Sequence, residues 1–368
     1  HKVTSRQMIN QRQPGYQMQT SALEKLKGGD LKRWIRIDEA AARSHVKADE
    51  LAGLVGDLLP TDEGSFIVFG SLARGEYTNG SDLDWTVLID GRADSLHLEI
   101  IHSLKHRLED AGFKVPGPTE VFGGLVFSHD IVHSIGGDED TNRNMTRRLL
   151  LLLESNTVDT SSSREVHERI LNAILSRYVK EDANFIVANR RKDRIPRFLL
   201  NDVVRFWRTM AVDYANKYRA RRGDKWALRN IKLRMSRKLI FVSGLLMCIS
   251  WALQDREDKN DEFLVQKLVE HLRCWIQQTP LESLAGVVSQ YAPDLADDLF
   301  GNYDAFLGIL GDDAKRVLLE ELSPDEAYEN ELFLHAREIA TKFDEALTNL
   351  LFDANEDLAR LVKKYGVF

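Results

Sequence analysis

Asp82 and Asp84 stand two residues apart in the stretch F-G-S-L-A-R-G-E-Y-T-N-G-S-D-L-D-W, residues 69–85. On a strand, positions i and i+2 share a face, so these carboxylates repel each other unless a cation joins them. Two carboxylates so placed suit Mg²⁺, a hard cation that completes its shell with substrate phosphates and water. Upstream, Gly70 and Ser71 follow the apolar run S-F-I-V-F. Glycine lets the backbone come close to a ligand, and a loop of this composition aims N–H groups and the Ser71 hydroxyl at phosphate oxygens. Phosphates on one side and metal on the other define a site for a nucleoside triphosphate. Arg74 and Glu76 read either as an ion pair that orients this loop or as a phosphate contact by Arg74 beside a solvated acid.

The elements that must position these residues follow from hydrophobic periodicity. A polar arm, residues 1–30, leads to a helical pattern over Asp38–Leu59 that ends at Pro60. S-F-I-V-F-G and L-D-W-T-V-L-I-D read as strands, with a helix over Leu96–Ala111 after them. E-V-F-G-G-L-V-F-S-H-D-I-V reads as one or two further strands broken near Gly123 and Gly124. From Thr141 every periodic segment is helical: Thr141–Glu154, Ser163–Val179, Arg197–Arg221, Trp226–Leu253, Glu262–Gln277 and several more. Strands confined to residues 65–135 with helices afterwards predict an α+β fold, a small mixed sheet carrying a large helical body. The expected division is a core over 31–155, a basic helical domain over 156–253 and an acidic helical domain over 254–368.

The net charge of −7 hides a strong asymmetry. Arg190 to Lys238 holds 17 Lys/Arg against four Asp, whereas residues 251–368 hold 25 acids against 11 bases. An anion-binding surface is therefore local. No run reaches the roughly 18 uncharged apolar residues that a membrane span needs, and residues 1–20 lack the apolar segment of a signal peptide, so a cytoplasmic protein without a membrane partner is expected. Cys248 and Cys274 both fall in apolar helical patterns and read as reduced core thiols.

Gly70-Ser71, ten residues, then Asp82-Leu83-Asp84 between apolar positions resembles the signature of the polymerase-β-type nucleotidyltransferase superfamily. The stretch is particularly similar to the bacterial PII uridylyltransferase and its relatives, whose pattern is G-G/S-x-x-R-x-E-x-x-x-x-S-D-x-D. The resemblance covers residues 64–155. It implies a nucleotidyltransferase that uses Mg²⁺, or Mn²⁺ in its place, with Gly70, Ser71, Arg74 and Ser81 binding nucleotide and Asp82 and Asp84 binding metal. It also implies a third carboxylate, for metal or for the proton of the attacking hydroxyl. Asp130 ends an apolar strand pattern and resembles the F-D-x-R strand of that group, so it is the first choice. Glu120 competes with it, and the cluster Asp138, Glu139, Asp140 comes third. His129 and His133 flank Asp130, and on a regular strand they face away from it. Arg143, Arg147 and Arg148 face either nucleotide or solvent.

The basic segment carries an apolar helical face with cations between its apolar positions. Asn230, Arg234 and Arg237 or Lys238 share one stripe at helical spacing. The resemblance implies that cations of the helical domain reach the triphosphate, which assigns Arg234, Arg237 and Lys238 to nucleotide binding. Trp207, Tyr214, Tyr218 and Trp226 among these cations make segment 190–238 a candidate RNA contact as well as a core pattern. The acidic helices from 254 read as a packing or partner-protein surface. Three functions stand: transfer of a nucleoside monophosphate from an NTP to a protein or small-molecule acceptor, synthesis of cyclic oligonucleotides, and an inactive nucleotide- or partner-binding module. Nothing in the sequence names the base or the acceptor.

Overall fold

The computed structural model describes residues 21–59, 62–114, 121–158, 161–188, 193–220, 225–254 and 263–366. The fold is α+β. Helices α1 (Ala22–Lys27) and α2 (Ile35–Val55) precede β1 (Gly64–Phe69) and the single-turn helix α3 (Gly70–Ala73). Strand β2 (Trp85–Ile89) leads to α4 (Leu96–Asp110), and β3 (Leu125–Phe127) runs straight into α5 (Ser128–Val132). Helix α6 (Asn142–Glu154) passes directly into β4 (Ser155–Thr157). The body then holds α7 (Ser161–Glu181), α8 (Ala183–Ala188), α9 (Arg197–Ala220), α10 (Trp226–Lys232) and α11 (Lys238–Leu253). A π turn, Leu233–Arg237, joins the last two. It continues through α12 (Leu264–Ile276), α13 (Pro280–Tyr291), α14 (Asn302–Gly311), α15 (Asp313–Glu321), α16 (Pro324–Ala327), α17 (Glu331–Phe352) and α18 (Glu356–Leu361).

The sheet order is β3-β2-β1-β4, with β1 antiparallel to β2 and β4, and β2 parallel to β3. Helices cover both faces of β1 and β2, which is why these strands are continuous apolar runs instead of alternating ones. Phe66, Val68, Trp85 and Val87 pack with Leu51 and Val55 of α2 and Leu104 and Leu108 of α4. Ile67, Phe69 and Leu88, at the intervening positions, join the core of the helical body.

Several expectations are corrected. Strands do not stop at residue 135, because β4 pairs with the end of β1, Phe69 opposite Ser155. The residues H-D-I-V are helical, and the ring centroids of His129 in α5 and His133 just after it lie 4.9 Å apart. Cys248 is buried as expected, but Cys274 is exposed. Residues 21–30 are not a loose arm, since α1 packs on α13 and buries Leu23. The expected boundary at residue 253 separates no core: one apolar cluster runs from Leu23 and Trp34 through α11 to Val362. Asp304 of α14 caps α2, its Oδ1 accepting from the N–H groups of Arg36 (2.7 Å) and Ile37 (3.1 Å). The run Trp226–Leu253 is long and apolar enough to cross a membrane by composition alone, yet most of it is buried inside the protein.

Arg148, read as facing nucleotide or solvent, does neither, and is fully buried. Its Nη1 and Nη2 donate to the two carboxylate oxygens of Asp140, each at 2.7 Å, and its Nε donates to the Tyr178 hydroxyl at 3.0 Å. The same hydroxyl donates to Asp202 at 2.6 Å. This network ties α6, α7 and α9 together and uses Asp140 for structure. Removing the cation leaves the buried Asp140 carboxylate without its ion-pair partner, so Arg148→Ala should destabilise the fold by about 3–5 kcal/mol in chemical denaturation. Arg107→Ala, at the exposed pair with Asp57, should cost far less, because solvent screens an exposed pair. Equal losses would contradict the network's role.

Candidate active site

Three strands end at one level. Phe69 lies between Ser155 of β4 and Asp84, whose carbonyl accepts from the Phe69 N–H at 2.9 Å. The next residue on each path is a chemical one: Gly70 after β1, Glu154 before β4, Asp84 before β2. Gly70 takes φ +66°, in the left-handed region, and a Cβ there would come 3.3 Å from Asp84 Oδ2. Glycine is needed for both reasons, turn and close approach. Asp82 is exposed and Asp84 half-buried. Burial first, then the charges of Glu154 and Asp82, push the Asp84 carboxyl up to about 7. Among the described residues no side chain offers either aspartate a hydrogen bond or ion pair. A cation is what the pair lacks.

Beside it lies a closed network. Arg74 Nε donates to Glu76 Oε2 at 2.9 Å, and Arg74 also pairs with Glu154. The Tyr303 hydroxyl of α14 donates to Glu76 Oε1 at 2.9 Å. All four side chains are withdrawn from solvent. Burial raises the Glu154 carboxyl, opposed by Arg74 and then by Arg237. The ion pair of Arg74 and Glu76 read from the sequence is therefore formed, with a second acid on the far side.

Facing the carboxylates is the π turn. An i→i+5 turn brings residues five apart nearly above one another, whereas a helix of 3.6 residues per turn would splay them. Lys232 and Arg237 are such a pair, and their charges act on each other. Burial, then neighbouring Arg316, push Lys232 down to about 8 against the pull of Asp82. Neither Lys232 nor Arg237 has an ion-pair partner among the described residues. Residues 49–115, which hold β1, the Gly70-Ser71 turn, both aspartates and α4, match the nucleotidyltransferase domain family. The chain carries a nucleotidyltransferase domain. It is thereby an enzyme that transfers a phosphorus-containing group. No curated protein matches the chain.

The nucleotidyltransferase domain gathers some of the residues picked from the sequence and scatters others. Gly70, Ser71, Arg74, Asp82 and Asp84 come together. Ser81 is turned inward, its Oγ accepting from the Thr78 N–H at 3.1 Å, so it shapes the turn before Asp82 and does not face phosphate. Asp130 is exposed on α5, beyond Phe127, which pairs with Ile89 at the opposite end of β2. Five residues of strand put it roughly 17 Å from Asp84, out of reach of a shared metal. Glu120 lies outside the described residues. Asp138 and Glu139 are exposed and precede the N-terminus of α6, whose opposite end carries Glu154. Lys238 pairs with Asp344 of α17, Arg234 Nε donates to Asn230 Oδ1 at 3.1 Å, and Arg237 acts on Glu154, the acid beside the aspartate pair. Trp207 stacks on Phe241 with ring centroids 5.3 Å apart, as a core aromatic does.

Sequence reasoning missed Glu154 and Lys232. The only signal for the first is an acid ending the run L-L-L-L-L-E, and for the second a cation five residues before Arg237.

Asp84 holds its proton more tightly in the metal-free fold than in the unfolded chain, so protonation stabilises the fold. Relative to Asp84→Asn, metal-free wild type should gain thermal stability as pH falls through about 7. The gain should level off in the ordinary carboxylate range. Melting curves of both proteins from pH 8 to pH 4 test this, and parallel curves would contradict it.

Proposed function

We propose that the chain transfers a nucleoside monophosphate from an NTP to a hydroxyl of a protein or small-molecule acceptor, with Mg²⁺ or Mn²⁺ held by Asp82 and Asp84. The observation that carries this reading is the carboxylate pair without a cation, set against Gly70 and opposed by Lys232 and Arg237. No three His, Cys, Asp or Glu among the described residues form a closed metal cage. That fits Mg²⁺, which binds through one or two carboxylates and takes its other ligands from phosphate and water. Bound there, the ion would supply Lewis-acid stabilisation of charge on the phosphoryl oxygens.

The chain's own residues do the rest. The Gly70-Ser71 turn presents its backbone and hydroxyl to the phosphates, and Lys232 and Arg237 bind the two phosphates that leave as pyrophosphate. The acceptor oxygen bonds to the α-phosphorus as the bond to the pyrophosphate oxygen breaks, the pyrophosphate leaves with the bonding electrons, and the acceptor's proton passes to the third carboxylate. We assign the third-carboxylate role to Glu154, because it stands at the end of α6, immediately before β4, and its charge is felt at Asp84. Arg74 is then a positioning residue for Glu154. The cations of segment 190–238 serve nucleotide and not RNA in this reading. Lys232 and Arg237 face the carboxylates, while Lys238 is held by Asp344 and Arg205 by Asp202.

Incubation with each radiolabelled NTP and Mg²⁺, followed by separation of protein-bound from small-molecule label, identifies base and acceptor class. Asp82→Ala and Asp84→Ala should each abolish labelling while the protein stays folded, since charge stabilisation of several kcal/mol is lost. Glu154→Gln should lower turnover at least about a hundredfold and Asp130→Asn less than about twofold. Label in cyclic oligonucleotides would favour that synthesis over transfer to an acceptor. Wild-type labelling in both aspartate variants would overturn the site.

A further inference from the structure

The turn that presents Asp82 is held from outside the nucleotidyltransferase domain. Residues Thr78–Ser81 form a closed turn: the Ser81 N–H donates to the Thr78 carbonyl at 2.9 Å, and the Thr78 N–H donates to Ser81 Oγ at 3.1 Å. The guanidinium of Arg316, from α15, lies on this turn. Its Nη1 donates to Thr78 Oγ1 at 3.2 Å, and its Nε donates to Glu320 Oε1, also at 3.2 Å. The side chain is 5% exposed, although it comes from a helix that is otherwise largely solvated. The same side chain fills the space that a Cβ at Gly80 would occupy. A Cβ at Gly80 would fall 2.4 Å from Arg316 Nε, 2.5 Å from Cδ and 2.8 Å from Cζ. The backbone of Gly80 does not take positive φ, so glycine is required here for the guanidinium alone. Two residues later the chain reaches Asp82.

We infer that Arg316 is a positioning residue for the reaction, clamping the Thr78–Ser81 turn so that Asp82 is held in register with Asp84. The inference rests on the reading of this pair as the metal-binding site, and it gives the acidic helices after residue 253 a task inside the enzyme. Arg316 touches the turn and not the reacting atoms. A displacement of about 1 Å at a reacting group costs on the order of a hundredfold in rate without a comparable loss of substrate binding. The signature of the clamp is accordingly a fall in kcat with KM for the NTP nearly unchanged.

Three variants test it: Arg316→Ala, Gly80→Ala, which pushes the guanidinium off the turn, and the double variant. Each single variant should lower kcat roughly 10–100-fold and change KM for the NTP less than about threefold. The double variant should be no worse than either single one, because both lesions break one contact. Arg316→Lys keeps the charge but not the flat guanidinium and should restore little. Hydrogen exchange of metal-free protein supplies a readout that needs no turnover. Amides of residues 76–84 should exchange at least about tenfold faster in Arg316→Ala, with the helical core unchanged. Unchanged protection of that segment overturns the clamp whether or not the wild type transfers nucleotide. So does a rise in KM at constant kcat, which would make Arg316 a phosphate ligand, or a double variant in which the two losses multiply. If wild type transfers nothing but the segment is deprotected in Arg316→Ala, the proposed reaction fails and the clamp stands.

Discussion

One guanidinium between two buried carboxylates holds the site together. Arg74 lies against Glu76 and Glu154, and Tyr303 donates to the remaining oxygen of Glu76. Charges so placed are tolerated only with partners, because an unpaired buried charge is strongly unfavourable. The four residues come from the loop after α3, from the end of α6 and from α14. The sheet end, the Gly70 turn and the C-terminal helices therefore assemble together. Asp304 capping α2 and Arg316 on the Thr78–Ser81 turn belong to the same contact between distant parts of the chain.

That assembly sets the electrostatics of the cleft. One arginine serves two acids, and Asp82 and Asp84 add two more with no hydrogen-bond or ion-pair partner for their side chains among the described residues, so negative charge is in excess where strands β1, β2 and β4 end. Lys232 and Arg237 stand opposite, and burial, then repulsion from neighbouring Arg316, moves Lys232 down to about 8. Each set lacks an opposite charge. A metal triphosphate supplies both at once, cation to the aspartates and phosphates to the lysine and arginine, which is a physical reason to read this cleft as a nucleotide site. The π turn matters because it brings Lys232 and Arg237 to one side.

The sequence displayed the carboxylate pair and its loop because both are local: Gly70, Ser71, Arg74, Asp82 and Asp84 lie within 15 residues, between two continuous apolar strands. The α+β class was legible for the same reason. What lay hidden was set by pairing across the chain. Strand β4 is three residues long, below what periodicity detects, so Glu154 read as the end of a helix and Asp130 took its place. The stripe Asn230, Arg234, Arg237, Lys238 was drawn on a regular helix, and the π turn redistributes it. Gly80 read as an ordinary turn glycine, since nothing local shows that a guanidinium 236 residues away rests on it.

The central claim is that Asp82 and Asp84 hold the cation to which Lys232 and Arg237 present a triphosphate. Anomalous diffraction from crystals of the full chain grown with Mn²⁺ and a non-hydrolysable NTP analogue tests it directly. The account predicts a Mn²⁺ peak bridged by the Asp82 and Asp84 carboxylates, with the terminal phosphates against Lys232 and Arg237. Mn²⁺ bound away from both aspartates, or a triphosphate lying elsewhere on the protein, would contradict it.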